Sequence, residues 1–212
     1  MAKSDSISMS VIRRLPRYYR FLSELEDKKV DKISSNKLAK IMNVTASQVR
    51  QDLNCFGGFG QQGYGYSVTY LKEEIKKLLG LNNNYQAILI GAGNLGKAVA
   101  MHMEFEKLGI HLTACFENDP QKIGDKINDL PVLSEADLEM YCNSHTVDTA
   151  ILCIPRAGVE NIIDKLYLMG IKNYWNFSHY DITSKYSDTL VENVHLNDSL
   201  MTLCYKMNNL NP

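Results

Sequence analysis

Residues 85–119 read YQAILIGAGNLGKAVAMHMEFEKLGIHLTACFEND, and their order of apolar run, glycines, amphipathic run and second apolar run decides the fold. The apolar run at 87–90 suits a parallel strand covered on both faces. It leads directly into Gly91, Gly93 and Gly96, spaced GxGxxG. In such a pattern the first glycine makes the tight turn, the second leaves room for a pyrophosphate against the backbone, and the third lets the next helix lie close on the strand. Ala92, Asn94 and Leu95 complete the loop, so that the free N–H groups and dipole of the helix face the phosphates. The helix is expected over 95–108, closed by Gly109, and a second strand over 112–116. Glu117 then stands about 20 residues past the glycines, where a carboxylate can accept from both ribose hydroxyls of an adenosine. A carboxylate there repels a 2′-phosphate, and Asn118, Asp119 and Pro120 bring no arginine to offset it. The segment therefore reads as a seat for NAD(H) rather than NADP(H). A structural glycine turn with a solvated Glu117 is the bland alternative, and the strand, helix and strand around the glycines speak against it.

Downstream, Lys122, Ile123 and Gly124 start a loop, followed by a short strand at 132–133 and a short helix over 135–141. The run VDTAILCI at 147–154 reads as another buried parallel strand, ended by Pro155. In a dinucleotide fold that strand end lies over the cofactor, so Ile154 and Pro155 are expected to border the nicotinamide. Asn118, Lys122 and Phe177 join the expected cofactor-binding set. A helix over 158–169 closed by Gly170, strands over 171–177 and 190–194, and a final helix over 197–207 complete the pattern. Leu200, Leu203, Cys204 and Met207 make an apolar stripe on that last helix, which either packs on its own domain or exchanges with a partner subunit.

Upstream, Arg13, Arg14, Arg17 and Arg20 recur at helical spacing, interleaved with Tyr18, Tyr19, Phe21, Leu22 and Leu25, and Arg13 and Arg14 are expected to project from the surface as DNA contacts. Ser8 to Ser10 can cap this helix, and Pro16 is expected to kink or restart it near Leu15. Ser34 or Ser35 caps a helix over 36–42, Asn43 and Val44 turn the chain, and Thr45 with Gln48 forms a capping box that opens a helix over 46–54. Two short helices across a tight turn make a helix-turn-helix, held by Leu38, Ile41, Val44, Val49 and Leu53. Its second helix displays Ser47, Gln48, Arg50 and Gln51; Arg and Gln can pair with guanine and adenine edges in a major groove. The stretch FGGFGQQGYGY at 56–66 reads as a hairpin wing in which Gly63 and Gly65 turn the chain and Tyr64 and Tyr66 reach a sugar-phosphate wall. A linking helix over 70–79 and the polar Asn82 to Asn84 lead into the glycine segment.

The net charge of −1 hides an asymmetry: residues 1–80 hold 14 Lys and Arg against 8 Asp and Glu, and the remainder holds 9 against 16. A basic amino-terminal third suggests that one end meets a polyanion. The five cysteines are scattered, without a CxxC pair, so neither a disulfide framework nor a zinc site is indicated. No apolar signal core or membrane-length run is present, which leads to the expectation of a cytoplasmic, membrane-free protein. The expected fold is α/β: a winged helix-turn-helix domain over 1–80, a Rossmann-type doubly wound parallel sheet over 81–195, and a domain-swapped dimerisation helix over 196–212.

The whole chain resembles the Rex-type redox-sensing transcriptional repressors. The resemblance is carried by Arg14-Leu15 with 18–21, by Gln48-Val49-Arg50 with Asp52-Leu53 and Phe56-Gly57, by 63–66, by GAGNLG and by Asn176-Phe177. It implies a homodimer whose last helix inserts between the two domains of the other subunit. It also implies binding of an inverted-repeat operator in double-stranded DNA when NAD+ is plentiful, with release when NADH binds, and no enzymatic activity. This sequence departs from the family pattern at Gln51, where relatives carry Lys or Arg, and at Asn54-Cys55. The family's switch joins an arginine, here Arg20, to a tyrosine and an aspartate, whose positions are taken here by His102 and His195. Two histidines do not reproduce a carboxylate–phenol contact, so a related regulator with a retuned, pH-sensitive or differently liganded switch is an alternative reading. An NAD-dependent dehydrogenase is the rival reading, with His102, His179 and His195 as candidate acid–base groups. A CoA-binding relative of the Rossmann type is a third.

Overall fold

The computed structural model describes residues 7–57, 59–61 and 64–209 and divides into two compact units, Met1–Asn82 and Asn83–Pro212. Gly63, expected at a wing turn, lies outside the described residues.

In the first unit, Ser8 caps a single turn, α1 (Met9–Ile12), and the chain restarts as α2 (Leu15–Asp27) with Pro16 in its first turn, where a missing N–H costs nothing. A short strand, β1 (Lys32–Ile33), leads to α3 (Ser35–Met42), whose first turn is capped by Ser34 Oγ accepting from Lys37 N at 3.2 Å. Asn43 turns the chain in the left-handed region, φ 51°, before α4 (Ala46–Asn54). Then come β2 (Gly60–Gln61), β3 (Gly65–Ser67) and α5 (Val68–Leu78). The three strands form an antiparallel sheet in the order β1-β3-β2. Gly65 is required there: at φ +76°, a Cβ would stand 2.7 Å from the Ile33 carbonyl oxygen. Leu15, Tyr18, Leu22, Leu38, Met42, Val49, Leu71 and Ile75 fill the core between helices and sheet. Ile41 corrects the sequence reading: it is 41% exposed, because α3 buries Leu38, Ala39 and Met42 instead.

The second unit runs β4 (Tyr85–Ile90), α6 (Asn94–His102), β5 (Ile110–Glu117), β6 (Lys126–Ile127), β7 (Leu130–Ser134), α7 (Leu138–Ser144), β8 (Thr149–Leu152), α8 (Arg156–Leu168), β9 (Asn173–Asn176), α9 (Ile182–Lys185), β10 (Leu190–Asn193) and α10 (Leu196–Asn209). The strand order is β10-β9-β8-β4-β5-β7-β6, parallel throughout except for β6. Alternate residues of the central strands serve opposite faces. Ile88, Ile90, Phe116 and Leu152 pack under α8, while Ala87, Leu89, Cys115 and Ile151 form the other layer with Val99 and Phe105. β5, β6 and β7 lie on one side of β4 and β8, β9 and β10 on the other, so the crevice at its carboxyl end is the topological switch point where open α/β sheets hold ligands.

The helix after the glycines is shorter than the expected 95–108. It stops at His102, Met103 is extended, and residues Phe105–Leu108 form a 3-10 turn closed by Gly109 at φ 69°. The buried face of α6 comprises Gly96, Val99 and Ala100, and continuing it at 3.6 residues per turn would point Met103 and Lys107 inward. The break puts Phe105 in the core instead and leaves Lys107 outside with Glu104, at 2.6 Å.

Candidate functional site

The crevice at the end of β4 is built by its glycines. Gly91 turns at φ +97°, where a Cβ would come 2.5 Å from Ile154 Cγ2 and 2.8 Å from the Cys153 carbonyl oxygen. A Cβ on Gly96 would fall on the carbonyl oxygen of Gly91, so this glycine lets α6 settle against the turn. At Gly93 a Cβ would meet nothing within 4 Å. The chain's own packing does not demand a glycine there, and the open space belongs to whatever the crevice receives. Gly93 caps α6 without a side-chain hydrogen bond, which leaves the helix's first N–H groups facing that space.

The crevice encloses about 240 Å³. Of the expected residues, Gly91, Gly93, Glu117, Asn118, Lys122, Ile154 and Pro155 line it. Ala92 is buried beneath the turn, and Asn94 and Leu95 are exposed on the first turn of α6. Phe177 stands outside the lining and packs edge-on against Trp175 with ring centroids 4.7 Å apart. The sequence reading missed Ile90, Phe116, Glu135, Cys153 and Gly158. Strand register could have found Cys153, whose N–H donates to the Ile90 carbonyl at 2.8 Å and so sets it beside Gly91. Burial pushes its thiol up to about 12, so the group is a neutral wall rather than a nucleophile.

Glu117 is 9% exposed. Its Oε1 accepts from the N–H groups of Asn118 at 2.9 Å and Asp119 at 3.2 Å, which fixes the turn after β5. Oε2 is ion-paired with Lys122 Nζ at 3.7 Å and, with two lone pairs, can also accept from a ligand hydroxyl. Lys122 is closer to Asp119, at 3.0 Å, and their hydrogen bond holds the Asp119 carboxyl below its ordinary range.

In the first unit, α4 is anchored through one carboxylate. Asp52 is fully buried and accepts from Arg14 Nε and Nη2, both at 2.7 Å, from Tyr18 Oη at 3.0 Å and from Gln48 Nε2 at 2.8 Å. Burial pushes Asp52 up, but the hydrogen bonds from Arg14, Gln48 and Tyr18 outweigh it and hold the carboxyl below the usual range. Arg17 Nη2 meets the Met42 carbonyl, at 2.6 Å, at the carboxyl end of α3.

This arrangement corrects three expectations. Arg14 is engaged by Asp52 rather than projecting from the surface. Gln48 donates to Asp52 from its side chain instead of closing the capping box, while Thr45 Oγ1 accepts from Gln48 N at 3.1 Å. Tyr66, expected on a sugar-phosphate wall, is 8% exposed and packed in the core, because alternation along β3 turns it inward. Arg13, Ser47, Arg50 and Gln51 are exposed, and Arg50 Nη1 reaches Ser35 Oγ at 3.2 Å. Tyr64 is 71% exposed with Lys32 Nζ 5.7 Å from its ring centroid.

Of the expected switch residues, Arg20 is exposed with its guanidinium over Phe21, 5.1 Å from the centroid, and His102 is the exposed last residue of α6. His195 hydrogen-bonds to His179, Nδ1 to Nδ1 at 2.7 Å. Among the described residues no group of three or more His, Cys, Asp and Glu is placed to hold a metal, and no helix is long and apolar enough to cross a membrane.

A basic winged helix-turn-helix unit followed by a glycine-cradled α/β unit defines a class: DNA-binding regulators that carry a nucleotide-binding domain. The family models agree with that division, one described as "Putative DNA-binding protein N-terminus" matching residues 6–54 and one described as "CoA binding domain" matching residues 82–180. The chain belongs to the Rex family of redox-sensing transcriptional repressors. It is 48% identical over 207 residues to the repressor Rex of Clostridioides difficile (strain 630), covering 98% of both chains. It is 49% identical to that of Thermoanaerobacter pseudethanolicus, covering 98% of this chain and 92% of the relative. Among solved structures, RSP in complex with beta-NAD+ and operator DNA matches with a TM-score of 0.88 at 48% identity, covering 97% of this chain and 94% of RSP. RSP in complex with beta-NADH matches with the same TM-score at 45% identity, covering 97% and 96%. These relatives are repressors rather than dehydrogenases, which sets the oxidoreductase reading aside.

Proposed function

We propose that this protein binds an inverted-repeat operator as a homodimer and lets go when NADH occupies the crevice at the end of β4. The reading is carried by one observation: the chain matches, nearly end to end, a repressor seen both with beta-NAD+ on operator DNA and with beta-NADH. In this chain the crevice offers the pyrophosphate the open face of Gly93 and the first turn of α6, and Glu117 Oε2 is the acceptor for the adenosine ribose. Ile154 and Pro155 border the nicotinamide. Arg50, Gln51 and Ser47 reach base edges or phosphates from α4, with Arg13 and Tyr64 at the flanks. The protein is expected in the cytoplasm, where its operator is.

Homodimer formation is supported by α10, on which Leu196, Leu200, Met201, Leu203, Tyr205 and Met207 are each half exposed or more. A face of that kind calls for cover by a second copy. Release on NADH is a population shift, so NADH must favour the arrangement that does not hold DNA by about 3 kcal/mol for a 100-fold effect.

The family model's name favours a second reading, coenzyme A in place of NAD(H). Glu117 weighs against it, because a carboxylate beside the ribose repels the extra phosphate that coenzyme A carries there. A mobility shift on an inverted-repeat duplex, with NAD+, NADH, NADPH and acyl-CoA added separately, decides the matter. Release by NADH alone supports the proposal, and release by acyl-CoA alone overturns it.

A further inference from the structure

The chain is firmly held up to Val194. β9 and β10 pair in parallel with Asn176 opposite Asn193, and Val194 N donates to the Asn176 carbonyl at 2.8 Å. The fully buried Asn176 side chain also ties down the loop after β9. Its Oδ1 accepts from Ser178 N at 3.0 Å and Ser178 Oγ at 2.6 Å, and its Nδ2 donates to the Tyr180 carbonyl at 2.9 Å and to Asn193 Oδ1 at 2.7 Å. That loop holds His179 in the left-handed region, φ 59°, and lays its ring against His195. The rings are nearly parallel, 13° apart, with centroids 4.7 Å from one another and the two Nδ1 atoms in hydrogen-bond contact. His195 sits between β10 and α10, and its carbonyl accepts from Asp198 N at 3.1 Å in the first turn of the helix. None of the residues of α10 is buried, so packing on its own unit does not set the helix's direction.

We propose that His179 and His195 form a proton-sensitive joint at the root of α10: the pair holds the helix while at least one Nδ1 is unprotonated and releases it when both rings are charged. An Nδ1–Nδ1 hydrogen bond needs one donor and one acceptor, which two neutral imidazoles or one imidazole and one imidazolium supply. Two imidazolium rings present N–H against N–H, and the contact opens. The closed joint thus holds at most one extra proton and the open joint two, so acidification drives opening. The charged and titratable groups flanking the two rings along the chain are Tyr180 and Asp181 on the loop, Glu192 on β10 and Asp198 on α10. Arg156 on α8, ion-paired with Glu160 at 3.2 Å, lies with its guanidinium 5.8 Å from the Tyr180 centroid. Asp181 is taken up by Thr183 Oγ1 at 2.8 Å and Ser184 N at 3.2 Å.

The functional consequence rests on the homodimer reading: if α10 is exchanged between copies, the joint makes assembly weaker in acid. The test follows the imidazole C–H resonances of the full chain between pH 8.5 and pH 5. Coupled, two-step titration of His179 and His195 is expected, collapsing to a single step for His195 in His179→Asn, a residue that tolerates left-handed backbone but does not titrate. Independent single-step titrations in the wild type overturn the joint. Sedimentation then reads the consequence, with a dimer dissociation constant that rises about fivefold on acidification, the size of one net hydrogen bond, and stays flat in His179→Asn. A wild-type constant that is also flat overturns the effect on assembly. A chain that is monomeric at every pH contradicts the dimer reading, and the resonances still decide whether the joint exists.

Discussion

Replacing Asp52 by alanine should loosen the first unit far more than a single carboxylate on a short helix would suggest. Four donors from three residues converge on Asp52, and the substitution leaves the Arg14 guanidinium, the buried Tyr18 hydroxyl and the Gln48 amide without it. Removing one partner of a buried ion pair costs about 3–5 kcal/mol. The Arg14 side chain is 26% exposed and can recruit water, which places the expected loss near the lower end, about 3 kcal/mol. Against a total stability of about 5–15 kcal/mol that is a large share. Denaturant unfolding followed by far-UV circular dichroism measures it, and the fluorescence of Trp175, in the second unit, serves as the internal control. Because the folded-state carboxyl is held below its ordinary range, its contribution is complete above about pH 4 and lost as pH falls through the folded value. Asp52→Asn should therefore lack that acid limb. A loss under about 1 kcal/mol for Asp52→Ala, or an unchanged acid limb in Asp52→Asn, would refute the anchoring role.

Other substitutions separate packing from binding. Gly93→Ala should keep its melting temperature and lose NADH affinity by about tenfold or more in calorimetry, since the added Cβ points into open crevice. Gly96→Ala should fail to fold normally, because its Cβ would strike the Gly91 carbonyl. Glu117→Gln removes the charge that repels a 2′-phosphate, and the ratio of NADH to NADPH affinity should fall, with a constant ratio contradicting the assignment. Arg50→Ala should relax base preference by about 1–3 kcal/mol at one operator position, whereas Arg13→Ala should weaken all duplexes alike and lower the salt slope by about 1. Binding to matched and scrambled duplexes across a salt series distinguishes the two.

The central strands and the glycine turn were legible because local rules and tertiary context agree there. Ile88 to Ile90 are apolar on both faces, as a doubly covered strand must be, and Gly96 answers to the Gly91 carbonyl five residues before it, while the GxGxxG spacing marks Gly91 even though the atoms that require it, on Cys153 and Ile154, are distant in sequence. The misreadings share a cause: in each a distant partner overruled the local pattern. Phe105 broke the helix to reach the core. Arg14 looked like a free cation until Asp52, 38 residues on, was seen to hold it. Tyr66 looked like a wing-tip aromatic because the glycines around it hide the alternation of β3. The pairing of His179 with His195 was illegible, since it depends on the parallel register of β9 with β10 and on a left-handed residue that no glycine marks.

The linkage between crevice and operator is tested most directly from both ends at once, by anisotropy of a labelled operator duplex titrated with NADH against NAD+, and by calorimetry of NADH with and without that duplex. The coupling is reciprocal by necessity, so NADH should weaken DNA binding and DNA should weaken NADH binding by the same factor, on the order of 100-fold. Operator affinity that stays constant at saturating NADH and NAD+ alike, with NADH affinity indifferent to the duplex, would contradict it.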